Sequence, residues 1–245
     1  DETSRRKGHR YVTLFCDLDR SRVLFVTKGK DAKTVKRFIR DFKARGGDVR
    51  QIREVCADMS AAFTAGIQVH LPDASITYDR FHVMALVNDA VDEVRRRETE
   101  DQPVLKKSRY LWLKNPDNLN RKDTLRLESL TGLHLKTARA YQMKLALQRL
   151  WDYRHPFFAE QYLKKWYGWA RRSRLEPMKE AAATIKRHWD GILRFIRSRI
   201  TTGKLEGING KIKAAAKRAF GFRTFEYYRT IIYLVAGKLD LAVPA

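Results

Sequence analysis

The sequence has few acidic residues for its length, and it lacks long apolar runs. It contains 28 Asp and Glu against 51 Lys and Arg, a formal net charge of +23 in 245 residues. No apolar stretch is long enough to span a bilayer, and no exclusively basic amphipathic helix is visible, which argues against a membrane partner. The charge instead predicts a polyanionic partner, and nucleic acid is the leading candidate because neutralising phosphates releases counterions. A ribosomal-type binding protein would carry the same charge, so charge alone predicts no activity.

Cysteine is scarce too. Cys16 and Cys56 end two apolar runs and lack the spacing of metal ligands, so free, buried thiols are expected rather than a disulfide. This agrees with a reducing cytosol, and no secretory signal peptide is visible. We therefore expect a cytoplasmic protein that associates with the nucleoid when active. The sequence begins at Asp1 without an initiator Met, which indicates a fragment of a longer chain.

Internal repeats and low-complexity linkers are also missing, and a hydrophobic content of 44% predicts a folded protein with one good core. The first part of the chain alternates strand and helix patterns. Strands are predicted at residues 11–16, 22–26, 52–57 and 74–78, the first two as an antiparallel hairpin. Helices are predicted at residues 32–44, 61–70 and 81–97, the last with Val83, Val87, Ala90 and Val94 facing inward.

From about residue 98 to residue 200 the periodicity becomes helical throughout. One amphipathic stripe of about five turns is predicted to pack against Phe158, Tyr162, Trp166 and Trp169; it contains Met178, Ala182, Ile185, Trp189, Ile192 and Ile196. A helix carrying Glu206 and a last apolar helix at 227–239 follow. The predicted division is therefore an α/β core at 1–97, a helical insertion at 98–200, and a return to the core at 201–245.

Three acids stand at positions suited to metal binding. Asp1 opens the chain, Asp58 directly follows an apolar strand, and Glu206 lies on a late helix. Acids at strand ends and on a facing helix can supply the hard oxygen ligands that two Mg²⁺ ions need. Any single acid in so charged a sequence is more often a solvated surface residue, so the prediction depends on context.

The helix of Glu206 supplies part of that context. Its apolar stripe is Leu205, Ile208, Ile212, Ala215 and Ala219, and a neighbouring stripe contains Glu206, Asn209, Lys213 and Lys217. In this arrangement the acid could bind a metal ion while the neighbouring amide and two cations contact the DNA backbone. A solvated helix face would show the same pattern, so spacing alone does not decide between the two.

Several segments together resemble a known family. They are residues 1–13 (DETSRRKGHRYVT), 57–60 (ADMS), 71–83 (LPDASITYDRFHV), 205–213 (LEGINGKIK) and 221–223 (GFR). In this order they are similar to the ISL-three group of insertion-sequence transposases, which are DDE transposases. The resemblance implies an α/β, ribonuclease H-like fold, with a mixed sheet flanked by helices and a large helical insertion before the last catalytic helix.

The resemblance also implies roles for individual residues. Asp1, Asp58 and Glu206 match the catalytic Asp, Asp and Glu, which would hold two Mg²⁺ ions, with Mn²⁺ able to substitute. Asp17 competes with Asp1 as the first acid because it too ends an apolar strand. The implied partners are transposon-end and target DNA, with a homo-oligomer assembled on the DNA.

A second set of residues has both a structural and a functional interpretation. In the structural interpretation Asp79 caps the following helix and His82 is an interior hydrogen-bonding residue. In the functional interpretation both lie near the metals, where they support the metal ligands or contact DNA. Asn209, Lys213, Lys217 and Arg223 either contact phosphate or belong to a solvated basic surface. Trp166 and Trp169, among the cations of residues 164–172, are more often core residues than stacking partners for a base.

The reaction expected from the resemblance is metal-dependent hydrolysis of the phosphodiester at a transposon end, followed by attack of the freed 3′ hydroxyl on target DNA. A separate DNA-binding segment would recognise the ends. Two alternatives stay open at this point: a ribonuclease H-like nuclease or resolvase without strand transfer, and a DNA-binding module without enzymatic activity.

Overall fold

The computed structural model describes residues 2–4 and 11–239. Within them the strands are β1 (Glu2–Ser4), β2 (Tyr11–Asp17), β3 (Arg22–Lys28), β4 (Glu54–Ala57) and β5 (Ser75–Tyr78). The helices are α1 (Ala32–Ala44), α2 (Ala61–His70), α3 (Arg80–Glu98), α4 (Arg109–Leu113), α5 (Arg121–Thr131), α6 (Lys136–Gln148), α7 (Pro156–Arg171), α8 (Glu176–Arg187), α9 (Trp189–Ser198), α10 (Gly203–Arg218) and α11 (Phe225–Ala236). The predicted α/β class and the helical middle section are confirmed, in a chain that is mostly helical with small sheets.

The chain divides into two compact units. The first contains the described residues up to Thr77 and those from Ile200 onwards, and the second is Tyr78–Arg199. The sequence division at residue 97 groups α3 with the sheet, whereas α3 packs mainly on α4, α6 and α8 of the second unit. The first unit is therefore built from two distant parts of the chain.

The sheet of the first unit contains β1, β2 and β3 in antiparallel order. Its register shifts between Phe15, which pairs with Phe25, and Cys16, which pairs with Val23. One extra residue in β3 forms this β-bulge and reverses the alternation of side chains along the strand. Val23 and Val26 consequently lie in the same hydrophobic cluster although they are three residues apart.

Helices cover both faces of this sheet. On one face, the cluster of Val12, Leu14, Val23 and Val26 packs against α10 and α11. On the other, Phe38 of α1 stacks on Phe15 with ring centroids 4.4 Å apart. Asp31 begins α1, because its carboxylate accepts a hydrogen bond from the Thr34 backbone N–H at 3.1 Å.

A second, two-stranded sheet joins β4 and β5, and the Ser75 N–H donates to the Arg53 carbonyl oxygen at 2.8 Å. In the described residues these strands pair separately from β1–β3, so one continuous mixed sheet stays a prediction. Gly66 lets α2 approach α1 closely, since a Cβ at this position would lie 3.0 Å from Val35 and 3.1 Å from the Ala32 carbonyl oxygen.

The free thiols predicted from the sequence are present at both cysteines. Cys16 and Cys56 are half-buried rather than fully buried. Burial raises the pKa of the Cys16 thiol to about 11, which keeps it protonated and unreactive at neutral pH.

The second unit is a helical bundle around α3. Val83, Val87, Ala90 and Val94 are buried, as their spacing predicts. At the end of α3, the Glu98 carboxylate accepts hydrogen bonds from the backbone N–H groups of Lys136 and Thr137, each at 2.7 Å. A side chain from α3 therefore caps the first turn of α6, which satisfies donors that the helix itself leaves unpaired.

Three predictions about the helices are wrong in part. The six residues of the long stripe are buried, but they belong to α8 and α9, because the backbone leaves helical geometry at His188 (φ −109°, ψ 20°). Of the predicted neighbours, Trp166 is buried and Tyr162 half-buried, whereas Phe158 and Trp169 are exposed. The buried stripe of α7 lies one position further along, at Ala159, Leu163, Trp166 and Ala170. The last helix also begins at Phe225 and ends at Ala236 rather than extending from 227 to 239.

Lys144 is a buried cation that the hydrophobic pattern does not reveal. Its side chain on α6 is 1% exposed, and its ammonium donates to the carbonyl oxygens of Trp112, Leu113 and Lys114 at 2.9, 2.7 and 3.2 Å. These carbonyls end α4, so Lys144 supplies the hydrogen bonds that the helix terminus requires.

We expect Lys144→Met to lower the free energy of unfolding by about 1–3 kcal/mol, because it leaves buried carbonyls without donors. Urea denaturation at pH 7 measures the change. Lys136→Met, at an exposed position of the same helix, is the matched control and should change stability by less than about 0.5 kcal/mol. Equal stabilities of the two variants would show that the α4 carbonyls do not depend on Lys144.

The same residue predicts a pH dependence. Burial lowers the pKa of Lys144 to about 8, below its ordinary value of 10.5. Between these values the unfolded chain binds a proton that the folded chain releases, so the stability of the parent rises with pH across this window. Relative to Lys144→Met, the free energy of unfolding of the parent should therefore increase from pH 8 to pH 10.5. A difference that stays constant over this range contradicts the prediction.

Candidate active site

Asp58 lies in the turn between β4 and α2. It is half-buried, and its Oδ1 accepts a hydrogen bond from the Ser60 backbone N–H at 3.1 Å. Ser60 in turn begins α2, because its hydroxyl accepts from the Phe63 N–H at 3.5 Å. The short polar segment after the strand thus orients the Asp58 carboxylate and starts the next helix.

Glu206 lies in the first turn of α10 and is exposed. Leu205, Ile208 and Ile212 on the other side of this helix are buried in the core of the first unit. Their burial holds Glu206 outward, as the sequence predicts. The predicted apolar stripe is wrong at its far end, because the helix ends at Arg218 and Ala219 is exposed beyond it.

Two contacts bring distant parts of the chain to this region of the first unit. The Cys56 thiol, two residues before Asp58, donates to the Ile200 carbonyl oxygen at 3.8 Å. The Lys204 ammonium, two residues before Glu206, donates to the Leu18 carbonyl oxygen at 2.7 Å. The strand that precedes Asp58 therefore lies beside the segment leading into α10, and the start of α10 lies at the β2–β3 turn.

The first predicted acid, Asp1, lies outside the described residues. Its competitor Asp17 has a local structural role, since its carboxylate accepts from the Arg20 backbone N–H at 2.9 Å and lies 3.5 Å from Nε of Arg22. These contacts close the hairpin turn between β2 and β3. Within the part of the chain that the structure describes, no group of three His, Cys, Asp or Glu side chains is placed to hold a metal ion.

Asp79 and His82 belong to the second unit. Asp79 is fully buried, and its carboxylate accepts from the Phe81 backbone N–H at 3.0 Å, so the predicted capping of α3 is confirmed. His82 is half-buried in the first turn of α3. A role of either residue near the metals stays a prediction.

The polar stripe of α10 is exposed except at Asn209. Lys213 and Lys217 are exposed, and Asn209 is half-buried. Arg223 is exposed in the connection from α10 to α11. Residues 211–225 of the sequence contain five cations and no Asp or Glu.

The two tryptophans of residues 164–172 differ in their exposure to solvent. Trp166 is buried, and its indole N–H donates to the Met143 carbonyl oxygen at 2.8 Å. Trp169 is 39% exposed on the flank of α7. The core interpretation is thus confirmed for Trp166 and is wrong for Trp169.

The first unit also has a cleft that lies away from Asp58 and Glu206. A cleft of about 570 Å³ is lined by residues of β3, α1 and α11, including Arg37, Arg40 and Arg229, but by neither Asp58 nor Glu206. Phe220, which is fully exposed after α10, was not among the predicted site residues. The Phe-Gly pair that follows the basic end of the helix was the available signal.

No helix among the described residues is both long and apolar enough to cross a membrane.

Comparison with known proteins identifies similar sequences over most of the chain. It is 34% identical over 236 residues to the transposase for insertion sequence element IS1001 of Bordetella parapertussis, covering 93% of this chain and 58% of that protein. It is 30% identical over 253 residues to the transposase for insertion sequence element IS1557 of Mycobacterium tuberculosis, covering 91% of this chain and 56% of that protein.

The chain thus spans somewhat more than half the length of these relatives. No solved structure gives a significant match. A family model described as Transposase, that of the ISL3 group (the ISL-three group named above), matches residues 1–232. Because this match extends over nearly all of the 245 residues, the chain belongs to the ISL3 family of transposases.

Proposed function

We propose that this chain is the catalytic domain of a DNA transposase, which hydrolyses the phosphodiester at transposon ends and transfers the freed strand into target DNA. The observation that carries the proposal is the position of Asp58 and Glu206 in one compact unit, although 147 positions separate them in the sequence. Membership of the ISL3 family supports the same reaction class. The ribonuclease H-like arrangement is part of the proposal.

Asp58 and Glu206, together with Asp1, are the proposed ligands of two Mg²⁺ ions. Their fit to Mg²⁺ rests on chemistry, because carboxylate oxygens are the hard donors that this ion prefers. When bound, such ions activate the attacking oxygen and stabilise the leaving oxygen in an in-line displacement. Mn²⁺, which also prefers oxygen ligands, is expected to substitute.

The chain's own residues orient the two carboxylates and attract the DNA strand. The Ser60 N–H fixes one oxygen of Asp58 in the strand-to-helix turn, which limits the rotation of the carboxylate. The buried side of α10 holds Glu206 at the surface, where a DNA strand can approach. Lys213 and Lys217 extend the same exposed side, so a strand at the acids would pass over positive charge.

Both chemical steps are displacements at phosphorus, and a single site can perform them in succession. In hydrolysis, water attacks the phosphodiester and the 3′ oxygen leaves. In strand transfer, that 3′ hydroxyl attacks a phosphodiester of the target, and the target's own 3′ oxygen leaves. Neither step needs a covalent enzyme intermediate, so positioning of the strands is the protein's main contribution. A homo-oligomer assembled on the DNA would bring two ends together and is part of the proposal.

Asp58→Asn tests the carboxylate while preserving the turn. An Asn side chain keeps the oxygen that accepts from Ser60, but it loses the negative charge that a metal ligand needs. We expect cleavage of end DNA with Mn²⁺ to fall at least about a hundredfold. Binding of DNA, measured by fluorescence anisotropy, should stay within about twofold because it depends on Lys and Arg.

Asp73→Asn is the matched control, because Asp73 is an exposed acid in the α2–β5 connection of the same unit. It should cleave at the parent rate. Cleavage by Asp58→Asn near the parent rate would remove Asp58 from the site. The products separate the alternatives, since a nuclease yields cut ends alone, a transposase also yields joined molecules, and a binding module yields neither.

The double variant Lys213→Ala, Lys217→Ala tests the path of the DNA along α10. We expect weaker binding for all sequences, and a loss of up to roughly two units in the slope of log affinity against log salt, because each phosphate contact releases close to one counterion. Salt titrations of parent and variant measure the slope. The fold should be retained, since both side chains are exposed.

A control double variant, Lys106→Ala with Lys122→Ala, removes the same charge from exposed positions of the second unit. Its slope should stay near that of the parent. Equal slopes for the two double variants would assign Lys213 and Lys217 to a solvated surface with no part in binding.

A further inference from the structure

Phe220 is the most exposed large apolar side chain of the described residues. It is 101% exposed, so folding gains no burial from this phenyl ring. Its neighbour Phe222 differs, since that ring is half-buried and stacks on Tyr228 at a centroid distance of 5.4 Å. The connection from α10 to α11 is therefore anchored by one phenylalanine and presents the other to solvent.

The backbone at Phe220 is in a conformation that usually requires glycine. Phe220 has φ +50° and Gly221 has φ +90°. The Phe220 N–H donates to the Lys217 carbonyl oxygen at 3.2 Å, and the Gly221 N–H donates to the Ala216 carbonyl oxygen at 2.8 Å. This is the Schellman pattern that ends helices, in which the residue at the position of Phe220 is most often Gly. A residue with a Cβ is disfavoured here, and yet this one gains no packing in return.

The charge around Phe220 indicates what it contacts. Lys217 and Arg218 precede it in the last turn of α10, and Arg223 follows it; all three are exposed. All three lie in a stretch of the sequence, residues 211–225, that contains no Asp or Glu. An exposed aromatic ring between cations is the combination that binds single-stranded nucleic acid, in which bases stack on the ring and phosphates pair with the cations.

We propose that Phe220 stacks on an unpaired DNA base, while Lys217, Arg218 and Arg223 hold the flanking phosphates. The inference rests on the proposed function in one respect, namely that DNA is the substrate. Phe220 lies two residues beyond the end of α10, and the twelve positions from Glu206 to Arg218 extend about 18 Å at about 1.5 Å per residue. At about 3.4 Å per base step, the stacked base is roughly six steps from the phosphate at the acids. DNA opened near its cut end offers such a base.

The test measures the affinity of the full chain for an oligothymidylate of 12 nucleotides and for a duplex of equal length, by fluorescence anisotropy. We expect Phe220→Ala to weaken single-strand binding roughly five- to a hundredfold and duplex binding much less, because only an unpaired base can stack. Phe220→Trp should bind the single strand about as tightly as the parent. Phe220→Leu, which is apolar but has no aromatic face, should bind it as weakly as Phe220→Ala. Phe157→Ala removes another exposed phenyl ring, on α7, and is the matched control.

Phe220→Gly provides a second measurement with opposite effects on stability and binding. Glycine relieves the left-handed backbone, so the midpoint of thermal unfolding should rise by about 2 °C. Single-strand affinity should fall as in Phe220→Ala. A lower midpoint would show that the phenyl ring supports the fold and would contradict a purely binding role.

Other outcomes overturn the inference separately from the proposed function. If the parent binds duplex and cleaves it but Phe220→Ala keeps full single-strand affinity, only the stacking site is wrong. If the substitution instead converts a dimer to a monomer in sedimentation experiments and leaves DNA affinity unchanged, Phe220 is covered by a second copy of the chain. If the parent binds neither DNA, the proposed function is wrong as well.

Discussion

The packing of α10 on the β2–β3 face is the constraint on which the candidate site depends. Leu205, Ile208 and Ile212 complete a core whose other side is formed by the first hairpin, almost two hundred residues earlier in the sequence. This packing is what holds Glu206 outward and presents the cations that follow it. Contacts between such distant segments form late and slowly in folding unless the intervening chain is already compact. The helical second unit provides that compactness within Tyr78–Arg199.

Several elements could be predicted because their determinants are local. The bounds of α1 and α2 agree with prediction because Asp31 and Ser60 cap helices whose apolar residues recur at helical spacing. Asp58 could be placed in a strand-to-helix turn because the strand before it and the helix after it are both predicted from local patterns. The outward position of Glu206 followed from the apolar stripe beside it, which needed no knowledge of its packing partners.

The features that could not be predicted depend on tertiary partners. Periodicity continues across His188, although the backbone leaves helical geometry there. It also assigns Trp169 to the core, whereas the small residues Ala159 and Ala170 define the buried face of α7. The exposure of Phe220 depends on the way α10 ends, since a helix continued by one residue would turn that ring elsewhere. The relation of Asp1 to the other acids lies outside the described residues and stays a prediction.

Burial of an ammonium group has a chemical consequence for Lys144. Among the lysines that the structure describes, this is the one whose side chain is buried, with its ammonium bonded to three carbonyl oxygens. An acylating reagent must reach the amine nitrogen, so it can modify the buried Lys144 only when the helical unit opens. The extent of acylation at this lysine, read by mass spectrometry beside that of its exposed counterparts, therefore reports how often the unit opens in the native protein.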